Sequence, residues 1–542
     1  MNTMGKKSVL GAAVLLTLCC AGGCAERQKA GTDTRNLATA DLGPTIGSLV
    51  TVRGLEPVVV EGYGLVGGLK GTGSAECPPA IGAYLSREIR RQLPERGTLD
   101  VEKFISSPDT AVVLVEGVFP EMPFKNEYFD VKVTALPSTQ TTSLSGGGLL
   151  LAELKLPGNL GVDTRILADA KGPIFIDRIN EARPDGRTGY ILAGGKVLDD
   201  YRIILELRQS DFRVANGIRN LINGRFGETT AQALQPGRVE VLVPAPYRHR
   251  PQRFVSIVNA MFVTQEPEAT AERIKTLVKR LAESQNKYDS EVALEAIGNR
   301  SLSGLHALLS SADERVRLSA GRCAVNLGSD AGLAALRRIA TDKGSIYRLE
   351  ALEAVGAGAR RNDAATLART LLDDDDFPIR LTAYEQLRRL DDVTIAQHFV
   401  GRNFYLEQVT RTRRQAIFVS RSGQPRIVLF GAPIHCEDNI FVQSPEGDIT
   451  VNSAQGQNYV TLIRKHPKRP GVVAQAQSSF KLDDIIKALC EEPPKEGDSA
   501  TGGLGVPYAD AIALLKLMCD KGAVDAEFRA GPPPKIGLNI KK

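Results

Sequence analysis

Short stretches in which apolar and polar residues alternate predict β-strands in the first half of the chain. In the clearest case, residues 128–135, every second residue is apolar. Apolar residues that recur every fourth position between Pro79 and Pro94 instead predict a helix. A second helix, ended at Gly224, is predicted between strands at 201–207 and 239–243. Residues 43–267 are therefore predicted to form an α+β domain.

The pattern changes between residues 268 and 395, where strand signals fade and an internal repeat appears. The pentads VRLSA, YRLEA and IRLTA begin at Val316, Tyr347 and Ile379, so they lie 31 and 32 residues apart. Two helices per repeat of this length resemble HEAT-like repeats, in which neighbouring helix pairs share a core. The fold class predicted is thus an α+β core interrupted by an all-α, HEAT-like solenoid. Such a solenoid offers a face on which a further protein could bind.

Strand and turn signals return at residues 396–490, which we interpret as a β-rich segment of the same core. Residues 446–448 are predicted to form a hairpin tip, and residues 491–503, EEPPKEGDSATGG, a linker. Residues 504–530 predict a helix and a strand, and residues 531–542 a tail.

The N-terminus has the features of an export signal. In residues 1–24, Lys6 and Lys7 precede an apolar run of about ten residues, which is too short to span a bilayer. The run ends in Ala-Gly-Gly before Cys24, which resembles a lipoprotein processing site with lipid on Cys24; ordinary signal cleavage is the alternative. Residues 25–42 are polar and predict a tether.

Composition and charge exclude little but give no reason to expect a nucleic-acid partner. The net charge is only +5, in a chain that is 42% hydrophobic and 24% charged. No C-x-x-C motif occurs, which argues against a zinc ribbon. Cys490 and Cys519 could form a disulfide in an oxidising compartment or remain free and buried.

Runs of like charge are interpreted as solvated surface. The acidic run at 373–376 is predicted to be an inter-repeat loop in water. Basic clusters lie at 248–253, 411–414 and 465–469, with acidic partners or an anionic polymer as the alternative to plain solvation.

A glycine-rich segment raises the question of an enzyme. Residues 62–67, GYGLVG, satisfy the G-x-G-x-x-G pattern of a dinucleotide-binding turn, but further glycines follow where that turn needs a helix. Phosphate-loop, serine-hydrolase and zinc-protease motifs are absent from the sequence, and residues 435–438, HCED, are too close together to converge on one metal ion. We therefore expect no catalytic, cofactor-binding or metal-binding residue. We predict a tightly turning loop, with glycines at positive φ, that contains Gly62, Tyr63, Gly64, Gly67, Gly71 and Gly73.

The same segment carries a family resemblance. Residues 61–74, EGYGLVGGLKGTGS, closely resemble the N-terminal signature of the bacterial flagellar P-ring protein family, and blocks at 110–154, 211–244 and 504–528 resemble further segments in the family's order. The resemblance implies a structural subunit whose copies form a homo-oligomeric ring in the periplasm. That ring would surround the flagellar rod at the level of the peptidoglycan and act with the outer-membrane ring as a bushing that supports motility.

Two features depart from the family pattern, namely the helical repeats and a lipid-bearing Cys24. A second hypothesis therefore stays open at this point, a periplasmic lipoprotein that uses the P-ring-like core and the repeats as a scaffold for non-flagellar proteins. In the ring hypothesis, the predicted glycine-rich loop contacts either a neighbouring copy or the rod.

Overall fold

The structure, a computed structural model, describes residues 41–92, 100–158, 164–179, 185–466, 469–493 and 502–536. The predicted signal peptide, Cys24 and all but the end of the predicted tether lie outside the described residues. Most of the predicted linker and the end of the tail lie outside them as well. Among the residues described, no helix is both long enough and apolar enough to cross a membrane.

The first part of the chain mixes strands and helices, as the sequence predicts. Strand β4 has the predicted bounds, whereas α4 continues past Gly224 and ends before Gly227, whose φ is 113°. One glycine within a helix costs only about 1 kcal/mol relative to alanine, so Gly224 does not stop α4. The elements are α1 Ile46–Leu49, β1 Val50–Arg53, β2 Val59–Gly67, α2 Pro79–Gln92, α3 Val101–Ile105, β3 Ala111–Val118, β4 Tyr128–Ala135, β5 Gly148–Leu154, β6 Ala168–Pro173, β7 Thr188–Val197, β8 Arg202–Leu207, α4 Phe212–Phe226, β9 Ala231–Gln235, β10 Arg238–Leu242 and α5 Pro251–Ala260.

Six of these strands close into an antiparallel barrel in the order β2-β3-β4-β7-β6-β5. Alternate residues of the strands, such as Val113 and Val115 in β3 and Val131 and Val133 in β4, fill its interior. Helices α2 and α3 pack on the outside of the barrel against β2 and β3. The barrel therefore has one core inside and a second, smaller core under the helices.

A second sheet has four strands in the order β1-β8-β10-β9, of which β1 precedes the barrel in the chain and the other three follow it. It contains the predicted strand-helix-strand arrangement of β8, α4 and β10, together with two further strands, β1 and β9. Helices α4 and α5 share a hydrophobic core with this sheet, and residues of the following helical region join the same core.

The next region is all helical, which confirms the predicted fold class of an α+β protein with an all-α stretch. In the helix of the pentad that begins at Val316, Val316, Ala320 and Ala324 are buried. The helices are α6 Pro267–Glu283, α7 Tyr288–Ile297, α8 Leu302–His306, α9 Glu314–Asn326, α10 Asp330–Thr341, α11 Arg348–Gly358, α12 Arg361–Leu371 and α13 Phe377–Arg389.

The arginine of each pentad has a local structural role that the sequence pattern did not reveal. Arg317 Nη1 donates to the carbonyl oxygen of Ser311 (2.7 Å), and Arg380 Nη1 to that of Asp374 (2.7 Å). Arg348 Nε likewise donates to the carbonyl oxygen at Ala340 (3.2 Å). The recurring arginine therefore fastens the start of its helix to the chain that precedes it.

The described residues after α13 form two sheets and two helices. A five-stranded sheet has the order β11-β12-β14-β13-β19, and a four-stranded sheet the order β15-β16-β17-β18. The hairpin between β15 and β16 confirms the predicted tip, with Gly447 at a φ of 72°. The elements are β11 Ile395–Val400, β12 Phe404–Val409, β13 Ala416–Val419, β14 Arg426–Phe430, β15 Ile440–Gln443, β16 Ile449–Ser453, β17 Val460–His466, β18 Arg469–Ser478, α14 Leu482–Cys490, α15 Tyr508–Asp520 and β19 Glu527–Ala530.

The five-stranded sheet connects the helical region to the C-terminal helices. Val428 and Phe430 lie in a core shared with the helices of the pentads, whereas Ile427 and Leu429 lie in a core shared with α14 and α15. Because neighbouring residues of a strand point to opposite faces, this one sheet is buried on both sides.

Candidate assembly surface

The glycine-rich segment is for the most part a strand, so the prediction of a loop is wrong for Gly62, Tyr63, Gly64 and Gly67, which lie in β2. A Cβ atom at Gly62 would lie 2.1 Å from the carbonyl oxygen of a β5 residue, and one at Gly64 would lie 2.6 Å from a leucine methyl of β5. Neither glycine has a positive φ. These two glycines therefore let β5 approach β2 closely and close the barrel.

A true loop follows β2 at residues 68–74, and it contains the remaining candidates, Gly71 and Gly73. Gly68, Lys70 and Gly71 have φ angles of 80°, 51° and 87°, so the predicted left-handed backbone does occur here. At Gly73 the requirement for glycine is the lack of space, because a Cβ atom there would lie 2.0 Å from the carbonyl oxygen of Thr110.

This loop is held firmly against its neighbours. The backbone N–H of Leu69 donates to Asp109 O (3.0 Å), that of Gly73 to Pro108 O (3.0 Å), and that of Thr142 to Thr72 O (2.9 Å). The Leu69 side chain is buried, whereas Lys70 at the tip is exposed. The loop thus presents a cation on a fixed backbone, which suits contact with another macromolecule.

Arg187 holds a nearby segment of the backbone, residues 136–141, in place at the same end of the barrel. Its guanidinium donates to the carbonyl oxygens of Leu136 (2.8 Å), Thr139 (3.1 Å) and Thr141 (2.7 Å). Because three hydrogen bonds to one planar group fix the position of these residues, the surface next to the 68–74 loop is also preorganised.

The barrel contacts the C-terminal sheets through polar groups. Asp130 of β4 accepts from Ser422 Oγ (2.7 Å) and from the backbone N–H of Gly423 (2.9 Å), and Arg421 Nη1 lies 2.9 Å from Asp177 Oδ2. A cavity of about 310 Å³ at this junction is lined by Leu192 and Tyr508, among others. The barrel and the last part of the chain are therefore connected by specific hydrogen bonds.

Buried ion pairs connect the helical region to α5. Arg253 Nη2 lies 2.7 Å from Glu291 Oε1 and also contacts Glu295, and Arg322 Nε lies 3.1 Å from Glu291 Oε1. Burial raises the pKa of Glu291, while the neighbouring arginines oppose that rise. The interpretation of the basic cluster at 248–253 as solvated charge is thus wrong for Arg253, which is buried.

The acidic run at 373–376 also differs from the prediction, because it is the partner of a predicted basic cluster. Asp374 is buried and pairs with Arg348. Asp373 accepts from the backbone N–H of Arg413 (2.8 Å), and Asp375 pairs with Arg414. The acidic partner that the sequence left open for residues 411–414 lies within the same chain and joins the helical region to the five-stranded sheet.

The end of α13 makes a second connection to that sheet. The buried carboxylate of Glu407 in β12 accepts a hydrogen bond from the Tyr384 hydroxyl and another from Arg388 Nε (2.8 Å). Together with the pairs at Arg253 and Asp375, this contact holds the helical region to the α+β parts on both sides.

Cys490 and Cys519, for which a disulfide was one alternative, are free thiols in the structure. Burial raises the pKa of Cys519 to about 11, and it raises that of Cys490 as well. Within the part of the chain that the structure describes, no group of three or more His, Cys, Asp and Glu residues is placed to hold a metal ion.

The described residues thus combine a closed barrel, a firmly held exposed loop and a helical stack tied to two sheets. Residues 45–274 match the family model of the flagellar P-ring protein. The matched region contains the barrel, the β1-β8-β10-β9 sheet and α5.

Individual relatives agree with the family match. The flagellar P-ring protein of Desulfotalea psychrophila is 29% identical over 254 residues, which are 43% of this chain and 63% of that protein. That of Hydrogenovibrio crunogenus is 30% identical over 40% of this chain and 60% of its own length. That of Sodalis glossinidius is 28% identical over 43% of this chain and 65% of its own length. The chain thus spans between 60 and 65% of the length of these relatives.

The family match ends at residue 274, within α6. The helices from α7 onward and the C-terminal sheets lie outside it, so the resemblance of residues 504–528 to the family stays a prediction. Among solved structures, an engineered protein matches 33% of this chain at 16% identity with a TM-score of 0.18, a likeness too low to inform the fold.

Proposed function

We propose that this protein is a structural subunit of the flagellar P ring. Many copies close into a ring around the rod in the periplasm, act as a bushing together with the outer-membrane ring, and thereby support flagellum-dependent motility. The observation that supports this proposal most is the family match over residues 45–274, the segment that contains the barrel and the β1-β8-β10-β9 sheet.

The partners of such a subunit are other copies of the chain, the rod proteins, the outer-membrane ring proteins and the peptidoglycan. In this proposal the 68–74 loop, with Lys70 at its tip, contacts the next copy or the rod. The rigid hold on that loop supports the idea, because a preorganised loop loses little conformational entropy when it binds.

The helical region is proposed to bind an additional protein, and a lipid on Cys24 is proposed to tether the subunit to a membrane. Ile346, in the turn before α11, and Val393, in the turn after α13, are almost fully exposed apolar residues of this region. If these two residues contribute to the binding of the additional protein, Ile346→Asp and Val393→Asp reduce the amount of the additional protein that is recovered together with this chain from cell envelopes. Unchanged recovery from both variants places the contact elsewhere.

Deletion of the gene followed by electron cryotomography of the motor tests the proposed function. We expect loss of the ring density at the level of the peptidoglycan, loss of swimming, and restoration of both by the wild-type chain. Cells that retain this density and swim normally without the chain would refute the proposal.

A further inference from the structure

The segment that follows β6 carries two neighbouring charged residues to the junction between the barrel and the C-terminal part, which is the set of described residues after α13. Asp177 pairs there with Arg421. Arg178 Nη1 lies 2.7 Å from Glu446 Oε1, in the hairpin between β15 and β16, and 3.1 Å from Asp510 Oδ1, in the first turn of α15. One guanidinium therefore joins the barrel to two separate elements of the C-terminal part.

The carboxylates at this contact outnumber the cation that pairs with them. A third carboxylate, that of Asp448, lies in the same hairpin and is close enough to act on Asp510. A second cation, Arg464 of β17, directs Nη1 to two backbone carbonyl oxygens of the chain before α15, at 2.7 and 2.6 Å. Arg178 thus faces three carboxylates when all of them are ionised.

Asp510 is the more enclosed of the two carboxylates that Arg178 contacts. Its side chain is 21% exposed, whereas that of Glu446 is 55% exposed. Burial raises the pKa of Asp510, and the negative charges of Asp448 and Glu446 add to that rise. Arg178 and Arg464 oppose the rise without cancelling it.

Protonation of Asp510 reduces the excess of negative charge without breaking the contact, because a neutral carboxyl group still accepts a hydrogen bond from Arg178. The thiol of Cys490 on α14 also acts on Asp510, but burial raises the pKa of that thiol, so it adds no charge in acid or neutral solution. When the junction opens, Asp510 returns to water and to an ordinary pKa of about 3.9. The closed junction therefore holds the proton to higher pH than the open one, and it loses stability as the pH rises through this interval.

We infer that Asp510 makes the junction between the barrel and the C-terminal part sensitive to pH. The junction is tight in acid solution, where Asp510 is protonated, and it opens more often as the pH rises and the carboxylates repel one another. The contact lies within one chain, so the inference goes beyond the proposed function and does not depend on the formation of a ring.

Hydrogen exchange at the backbone amide of Gly423 measures this opening, because that N–H donates across the junction to Asp130 of β4 (2.9 Å). Exchange in the full chain is followed at pH 4.5 and at pH 7.5, and the intrinsic exchange rate at each pH converts the measured rate into a protection factor. We expect the protection factor of Gly423 to be lower at pH 7.5, by up to about tenfold for each unit by which the pKa of Asp510 is raised.

The variant Asp510→Asn is neutral at every pH, so its protection factor at Gly423 should lose most of the pH dependence. Asp520→Asn is the matched control, because Asp520 lies at the other end of α15, half exposed and 2.6 Å from Lys516 Nζ. This control should keep the pH dependence of the wild type. Equal protection of Gly423 at both pH values in the wild type, or an unchanged pH dependence in Asp510→Asn, overturns the inference.

A second variant keeps the test decisive even if Asp510→Asn does not fold. Asp448→Asn removes one negative neighbour of Asp510 and leaves both ion pairs of Arg178 in place. Because less repulsion lowers the pKa of Asp510, the loss of protection at Gly423 should begin at lower pH and become smaller between pH 4.5 and 7.5. A profile identical to that of the wild type would contradict the role of this carboxylate cluster.

Discussion

The ion pairs of Arg253 provide the sharpest test of how the helical region is attached. The Arg253 guanidinium lies between the fully buried carboxylates of Glu291 and Glu295, both on α7. Replacement by methionine keeps an unbranched side chain of similar length but removes the positive charge. Glu291 then retains Arg322, and Glu295 retains a hydrogen bond from Asn326 Nδ2 (3.0 Å).

Removing one partner of a buried ion pair typically costs about 3–5 kcal/mol, because the other charge stays buried without compensation. Since Arg322 and Asn326 remain, we expect a loss near the lower end, about 3 kcal/mol. For a domain of 150–250 residues this corresponds to a decrease in Tm of roughly 6–12 °C.

The loss should depend on pH in a defined direction. Burial raises the pKa of Glu291 in the folded protein, so the folded state holds its proton to higher pH than the unfolded state does. Such a group contributes less stability as the pH rises through its folded pKa. Because removal of Arg253 raises this pKa further, the difference between variant and wild type should be larger at pH 8 than at pH 5.

Calorimetry of the full chain at both pH values measures these effects. Arg53→Met is the matched control, because Arg53 and Glu206 form an ion pair that is about half exposed on each side and should contribute less than about 1 kcal/mol. If Arg253→Met melts like the control, or if its loss is the same at pH 5 and pH 8, the assignment of a buried, charge-compensating role to Arg253 is wrong.

Three further predictions concern the barrel, the C-terminal helix and the loop after α13. Gly62→Val should destabilise the barrel by about 1–3 kcal/mol or more, because the added side chain meets the β5 backbone. Gly67→Ala should change the Tm little, because no atom lies within 4 Å of the added Cβ. Equal melting of the two variants would contradict the role of Gly62 in closing the barrel. Tyr508→Phe should cost about 1–2 kcal/mol in denaturant unfolding, because the buried hydroxyl donates to main-chain carbonyls; an unchanged midpoint would show that this hydroxyl adds no stability. Burial alone would raise the pKa of Asp392, but hydrogen bonds from Arg369 and Thr394 lower it to about 2. Asp392→Asn should therefore cost roughly 2 kcal/mol of stability at pH 7, and this difference from the wild type should fade as the pH falls from about 4 to 2. A difference that stays constant with pH would contradict the pKa shift.

Local pattern predicted the elements well where one physical preference dominated. Alternation defined β4 to the residue, and the pentads located helices of the all-α stretch. Both signals arise from short-range burial, which a single sequence displays directly.

Contacts between distant residues could not be predicted in this way. The glycines at 62 and 64 look like a loop in sequence, and only the pairing of β2 with β5 shows that they admit a crossing strand. The acidic run at 373–376 and the basic cluster at 411–414 each look solvated when considered alone. Their mutual pairing depends on a fold that brings α12 and α13 next to the five-stranded sheet.

Mass spectrometry of flagellar basal bodies extracted in detergent tests the central claim most directly. The account predicts that this chain is present in near-stoichiometric amount with the rod proteins, as expected for a subunit of the P ring. Its absence from intact basal bodies that retain their periplasmic ring would contradict the account.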